Sequence, residues 1–175
     1  CTIPRSRHCS AVSRTPVREA LHRLEETGIV QRIPRRGTFV RQIGFDEIEE
    51  TYTIRALLEG NCARIAAERR TGRDIEELRR MLTHMKEALD AGDMHGVVEV
   101  NEEFHEHIAG FAGPLTRSLV SRFSLRIARY RAVAMTHGHR DREAYLEHLE
   151  IFRAIEARRP DEAEQAIIRH TNSGL

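Results

Sequence analysis

Apolar residues recur with a helical period as soon as the chain becomes patterned. Val17, Ala20, Leu21 and Leu24 stand at i, i+3, i+4 and i+7 and define one stripe of a short helix. Ser13 and Thr15 are competent N-caps, Pro16 suits a first helical turn, and Gly28 stands where a C′ residue belongs. The opposite face carries Arg14, Arg18 and His22, with Thr15 beside them. Two runs rich in β-branched and other strand-favouring residues follow, at 29–33 and 38–43, separated by Pro34-Arg35-Arg36-Gly37. Proline then glycine around a short break predicts a hairpin with two arginines at its tip.

Beyond Phe45 the period is helical throughout, with no strand-like alternation. Segments 46–70, 72–91, 93–111, 115–136, 142–158 and 161–171 read as six helices separated by glycine, proline or Gly-Asp. In the first, Ile48, Tyr52, Arg55, Leu58, Glu59 and Cys62 share a side. The second is amphipathic through Ile75, Leu78, Leu82, Met85 and Leu89. The pattern therefore predicts a mainly α protein. An incomplete winged helix-turn-helix occupies residues 1–43, and an all-α bundle of about six helices occupies residues 44–175.

Charge sharpens that division. Residues 1–41 hold nine arginines against Glu19, Glu25 and Glu26, a net of +6; residues 42–175 hold the other 19 basic groups against 24 acids, a net of −5. A basic head on an acidic body suggests that the head meets a polyanion and the body does something else. With 40% hydrophobic and 31% charged residues the chain suits a folded protein, not a disordered one. No run approaches the roughly 18 apolar residues of a membrane span, and no signal-type apolar segment follows the N-terminus. Cys1, Cys9 and Cys62 are too few and too scattered for a disulfide scaffold, so a cytoplasmic location is expected. The chain opens on Cys1 instead of methionine, which reads as a start inside a longer frame.

A short helix with a basic face before an arginine-tipped hairpin is the second half of a winged helix-turn-helix. Its helix would enter the major groove, and its hairpin tip would lie on phosphate or reach the minor groove. The residues alone leave open a merely solvated arginine face. In the body, three histidines sit on apolar stripes. His105 follows Val97, Asn101 and Phe104; His148 precedes Ile151, Phe152 and Ile155; His170 follows Ala163, Ala166 and Ile167. Asn101 and His105, one turn apart, can address one ion from the same helix face. Hydrogen-bonded core histidines are the other reading. His107 is expected to face outward, His84 and His95 have no partner at ligand spacing, and His137 and His139 read as solvated loop residues. No phosphate loop or nucleophile elbow is present.

The wording of the head narrows the choice. Val-Ser-Arg-Thr-Pro-Val-Arg-Glu-Ala-Leu (12–21), Arg-Leu-Glu (23–25), Gly28 and Pro-Arg-Arg-Gly-Thr-Phe-Val (34–40) closely resemble the DNA-binding domain of GntR-family transcription regulators. The resemblance implies operator contacts by Ser13, Arg14, Thr15 and Arg18, with Gly37 at the wing tip beside Arg35 and Arg36. The body, with Arg55-x-x-x-Glu59, is similar to the FCD ligand-binding domain of the FadR-type subfamily. That likeness implies a divalent metal (zinc, nickel or manganese) held by Asn101, His105, His148 and His170. It further implies a small carboxylate effector gripped by Arg55, a homodimer, and a palindromic operator. The acyl-CoA-binding branch of this fold lacks the metal set, which places the chain outside it. Asn101 supplies a neutral oxygen where many relatives supply carboxylate. Three imidazoles and an amide leave a dication uncompensated, which favours an anionic ligand.

The function expected is a transcription repressor, not an enzyme, whose metal-and-acid-binding body modulates operator affinity. Two alternatives stand beside it. Residues 1–12 do not read as the helices that should precede a recognition helix, so the chain would then be a ligand-binding remnant with impaired DNA binding. The other is a histidine–metal hydrolase, which lacks a general base: Glu102, Glu103 and Glu106 flank the ligands without sharing their angular position.

Overall fold

The computed structural model describes residues 14–26, 28–41, 44–134 and 140–174, the side chains of Arg14, Arg129 and 131–134 excepted. Ser13, His137 and His139, singled out above, lie outside the described residues. The chain divides into two compact units, the first ending at Gly44 and the second beginning at Phe45.

In the first unit α1 (Arg14–Glu26) is closed as its sequence predicts. Gly28 takes φ +70, its N–H donates to Glu25 O at 2.9 Å, and Ile29 N–H donates to Leu24 O at 2.8 Å. This pair of bonds satisfies the carbonyls a helix end leaves orphaned. Strands β1 (Val30–Ile33) and β2 (Gly37–Val40) pair antiparallel, with Val30 opposite Val40 and Ile33 opposite Gly37. The expected second strand was longer; Arg41 follows β2 outside the ladder, and 42–43 lie outside the described residues. Gly37 opens β2 instead of belonging to the turn, which leaves Pro34, Arg35 and Arg36 as the loop. Arg35 accordingly carries the left-handed backbone, φ +62, and Arg36 N–H donates to Ile33 O at 3.0 Å. Among the described residues of this unit only Val30 is buried; Val17, Leu21 and Leu24 are all exposed.

The second unit contains α2 (Phe45–Arg69), α3 (Gly72–Ala91), α4 (Met94–Gly110), α5 (Pro114–Ala134), α6 (Asp141–Glu156) and α7 (Pro160–Asn172). Helix α2 is central and touches α4, α5, α6 and α7, most extensively α7. Small residues make that approach possible. Ala63, Ala66 and Ala67 join Ala163, Ala166 and Ile167 in the core, and a Cβ on Gly60 would stand 2.8 Å from Ile168 Cδ1. Leu78, Phe104, Ile108, Val120, Ile151 and Ile155 fill the rest and are fully buried.

Helix boundaries follow local chemistry. Thr71 and Asp74 form a capping box at the start of α3, and Gly92 ends it in the left-handed region. Asp93 caps α4 by accepting the Gly96 N–H at 3.0 Å. Helix α6 ends two residues earlier than the sequence pattern suggests. Arg158 turns to φ +56, and its guanidinium donates to Glu68 O at 2.7 Å and Arg70 O at 2.9 Å, closing the C-terminal carbonyls of α2. The left-handed turn closes α6 itself, Arg158 N–H donating to Ile155 O at 3.1 Å and Arg159 N–H to Ala154 O at 2.9 Å, and the side chain adds the two bonds to the end of α2.

Candidate functional site

Each of the three stripe histidines comes from a different helix, and the fold brings their rings together. His105 on α4, His148 on α6 and His170 on α7 place one ring nitrogen each within 4.8 Å of the others. Ring centroids lie 5.3 Å apart for His105 and His148, 5.1 Å for His105 and His170, and 4.2 Å for His148 and His170. Phe104 lies edge-on to His148 and closes one side of the cluster.

Each outer nitrogen faces an oxygen, His105 Nδ1 doing so without hydrogen-bond geometry. His148 Nδ1 lies 2.6 Å from Ala144 O, His170 Nδ1 lies 2.8 Å from Glu147 Oε2, and His105 Nδ1 lies 3.1 Å from Glu59 Oε1. A neutral imidazole has one donor and one acceptor nitrogen. With Nδ1–H turned to these oxygens, His148 and His170 each present an Nε2 lone pair to the centre; the His105 proton lies on Nδ1 toward Glu59 or on Nε2 toward His170. His105 Nε2 and His170 Nε2 face each other at 3.1 Å, and His148 Nε2 is buried without a hydrogen-bond partner among the described residues. Burial, with His170 and His105 beside it, drives the His148 pKa well below the ordinary imidazole value. Burial and His105 push His170 down to about 3. At neutral pH these two rings are therefore uncharged, the form in which imidazole ligates metal.

Beneath the rings lies Glu59, wholly buried on α2. Its Oε1 accepts Arg55 Nε at 2.7 Å, and its Oε2 accepts Thr171 Oγ1 at 2.8 Å. Burial opposes its charge, but His105 and Arg55 outweigh burial and hold the carboxyl below its usual range. Burial likewise opposes the Arg55 charge, and Glu59 and Glu102 raise its pKa in spite of it. Arg55 is 5% exposed, and its Nη2 has no hydrogen-bond partner among the described residues; Glu102 Oε2 stands 3.9 Å away. Tyr52 Oη, one turn before Arg55, is also buried and unpartnered among the described residues. A buried guanidinium with a spare N–H suits a carboxylate, which it can meet through two parallel bonds. Asn101 is half-buried one turn before His105, and its Nδ2 donates to Glu102 Oε1 at 3.3 Å.

Asp74, Glu77 and His107 form another group of potential ligands. The two acids are partly committed: Asp74 Oδ2 accepts from Thr71 N and Oγ1 at 2.7 Å each, and Glu77 Oε1 accepts Arg73 Nε at 3.1 Å, while His107 Nε2 is buried without a hydrogen-bond partner among the described residues. They are best described as the opening turn of α3 with a histidine against it. His107, expected to face solvent, is half-buried, its Nδ1 3.7 Å from Glu77 Oε2 and its ring edge-on to Phe111. His84 and His95 are exposed.

In the first unit Thr15 and Arg18 are exposed on α1, and Arg35, Arg36 and Gly37 are exposed at the hairpin. Arg14 opens α1. His22 stands 3.7 Å from Glu26 on the same helix.

Sequence reasoning found the three histidines and Arg55 but not the groups that orient them. Glu147 on α6 meets His170 on α7, Thr171 on α7 meets Glu59 on α2, and Arg140 reaches Ser173 across 33 residues, contacts that no helical spacing announces; only Ser173, three residues after His170, lies within local reach. Glu59 did carry a signal: an acid on the apolar side of α2 needs a buried partner.

Comparison with known proteins identifies the family of the chain. The family model "FCD domain" matches residues 50–173, and the model "Bacterial regulatory proteins, gntR family" matches residues 9–40. The chain is 29% identical over 160 residues to the HTH-type transcriptional repressor RspR of Escherichia coli, covering 91% of this chain and 70% of that protein. It is 31% identical over 166 residues to the Nta operon transcriptional regulator of Aminobacter aminovorans, covering 91% and 74%. Among solved structures, E. coli McbR/YncC shares the fold with a TM-score of 0.79 at 24% identity, over 92% of this chain and 77% of that one. These matches are to transcription regulators, not enzymes. The chain belongs to the GntR family of transcription regulators, with a DNA-binding head and an FCD domain.

Proposed function

We propose that the helical body binds one divalent metal ion, zinc, nickel or manganese, through His105, His148 and His170, with Asn101 supplying an oxygen, and that a small organic acid binds beside it. The observation that carries this is the set of converging Nε2 atoms. His105 Nε2 and His170 Nε2 stand 3.1 Å apart while both Nδ1 atoms face carboxylates. An Nε2–H of one neutral ring donated to the other, or a cation between them, accounts for that distance, and three ring nitrogens converging from three helices suit the cation. The donor set of nitrogen and neutral oxygen suits borderline transition metals without selecting one.

A dication held there would supply Lewis acidity to a carboxylate effector. Arg55 would offer the same acid its Nη2, which has no hydrogen-bond partner among the described residues. Glu59 and Glu102 already offset the Arg55 charge, so the metal's own charge still favours an anion. In the head, Ser13, Arg14, Thr15 and Arg18 read the operator from the major groove, while Arg35, Arg36 and Gly37 meet its backbone at the wing. The domains divide at 43/44, and a homodimer sets two heads on a palindrome. The acid shifts operator affinity by its preference for one arrangement of the dimer over the other, with repression relieved as the outcome.

Elemental analysis of the purified chain beside His148→Ala tests the reading. About one equivalent of zinc, nickel or manganese, absent from the variant, is expected. A metal-free wild type that still takes up no added metal, with unchanged melting in the variant, reduces the three rings to core packing and removes the effector site with them.

A further inference from the structure

The three rings are not anchored alike. His148 is held by a backbone carbonyl inside its own helix, and His105 by Glu59 deep in the core. His170 stands in the last turn of α7, two residues before that helix ends at Asn172, where a helix frays most readily. It is also the most exposed of the three, at 10% of its side chain. Its anchor is Glu147, on α6 one residue before the ligand His148, which turns that carboxylate away from the His148 ring and toward α7.

Glu147 is itself held. Its Oε1 accepts Arg140 Nη2 at 2.7 Å, and Ser173 Oγ stands 3.2 Å from its Oε2. Ser173 lies at the C-cap of α7; its Oγ stands 2.6 Å from Arg140 Nη2 and 2.7 Å from the His170 carbonyl. One carboxylate thus ties the residue preceding α6, a ring at the end of α7 and the cap of α7 into one polar knot.

We propose that Glu147 is the positioning residue for the last metal ligand: it fixes the His170 tautomer with Nε2 inward, and Arg140 and Ser173 hold Glu147 in place to do so. This rests on the metal reading given above. A carboxylate behind a ligating imidazole sets ring orientation and raises ligand basicity, and its loss typically weakens metal binding about 10- to 100-fold. With Arg140 paired to it, Glu147 adds little net charge to the site. Its contribution is orientation.

The experiment is a Co²⁺ titration of the metal-stripped protein, followed by visible absorption, for the wild type, Glu147→Ala, Glu147→Gln and Arg140→Ala. Thermal unfolding of each metal-free protein accompanies it. Glu147→Ala should weaken Co²⁺ binding about 10- to 100-fold and alter the ligand-field bands while metal-free melting stays near wild type. Glu147→Gln, which keeps an acceptor oxygen, should recover part of the affinity, and Arg140→Ala should cost only a few-fold. Wild-type affinity and spectrum in Glu147→Ala overturn the proposal while leaving the metal site intact. So does a loss of affinity matched by an equal loss of metal-free stability, the mark of a packing role. No Co²⁺ uptake by the wild type removes the metal reading and this inference together.

Discussion

Arginine serves opposite ends in the two halves of this molecule. In the head Arg18, Arg35 and Arg36 are exposed on a scaffold with one buried apolar residue among those described, so their charge is available to a partner. In the body arginine ties helices together. Arg70 reaches the Glu156 carbonyl, Arg64 pairs with Glu164 and Asp161, Arg79 pairs with Glu76 and Glu156, and Arg158 closes the end of α2. Arg55 goes furthest, buried against Glu59 with one N–H left over. The residue type therefore says little about its job. Whether neighbours supply carboxylates decides between a surface that binds an anion and a strut that needs none.

Stability should divide the halves most sharply. Ile155 is fully buried, and Ile155→Ala should cost about 2–5 kcal/mol in chemical denaturation, from lost transfer energy and the cavity left behind. Leu24 is exposed at 36%, and Leu24→Ala should stay within about 0.5 kcal/mol. Equal losses would mean that the head carries a core of its own. Next in size is the metal. At a free concentration about 100 times the dissociation constant, a ligand bound only by the folded state adds about 2.7 kcal/mol. Added Zn²⁺ should therefore raise the melting temperature of the stripped chain by several degrees and leave His148→Ala unmoved. An equal rise in both would place the ion elsewhere.

The fold was legible because its signals are local. The α1 stripe, Gly28, the Pro34–Gly37 break and the Gly-Asp break at 92–93 all act within a few residues of themselves. His105, His148 and His170 were legible for a related reason, since a titratable ring on each of three apolar stripes must meet something inside. What orients them was not, because Glu147 meets His170 across 23 residues and Thr171 meets Glu59 across 112. Arg158 in the left-handed region was equally hidden, because no glycine marks that turn and its side chain meets carbonyls 90 and 88 residues away. That arrangement predicts an inverted ranking. Arg158→Ala loses both bonds and keeps the backbone strain, about 1–3 kcal/mol together, whereas Arg158→Gly releases the strain and should cost less. An alanine variant as stable as the glycine one would show that the strain is not real.

The wing offers the smallest effect and the cleanest test of what exposed arginine is for. Each phosphate neutralised by a cation releases counterions, so the slope of log binding constant against log salt falls by about 0.9 for every contact removed from duplex DNA. Arg36→Ala should flatten that slope by about 1 and weaken binding alike for any duplex, because a phosphate contact carries no sequence information. Arg35 differs in one respect. It holds φ +62 with a side chain that finds no advantage there, so Arg35→Gly should lose the same increment of slope while stabilising the hairpin by up to about 1 kcal/mol. A slope unchanged in both variants would place the wing off the DNA and leave recognition to α1 alone. A change confined to one duplex sequence would mean that the tip reads base edges instead of phosphate.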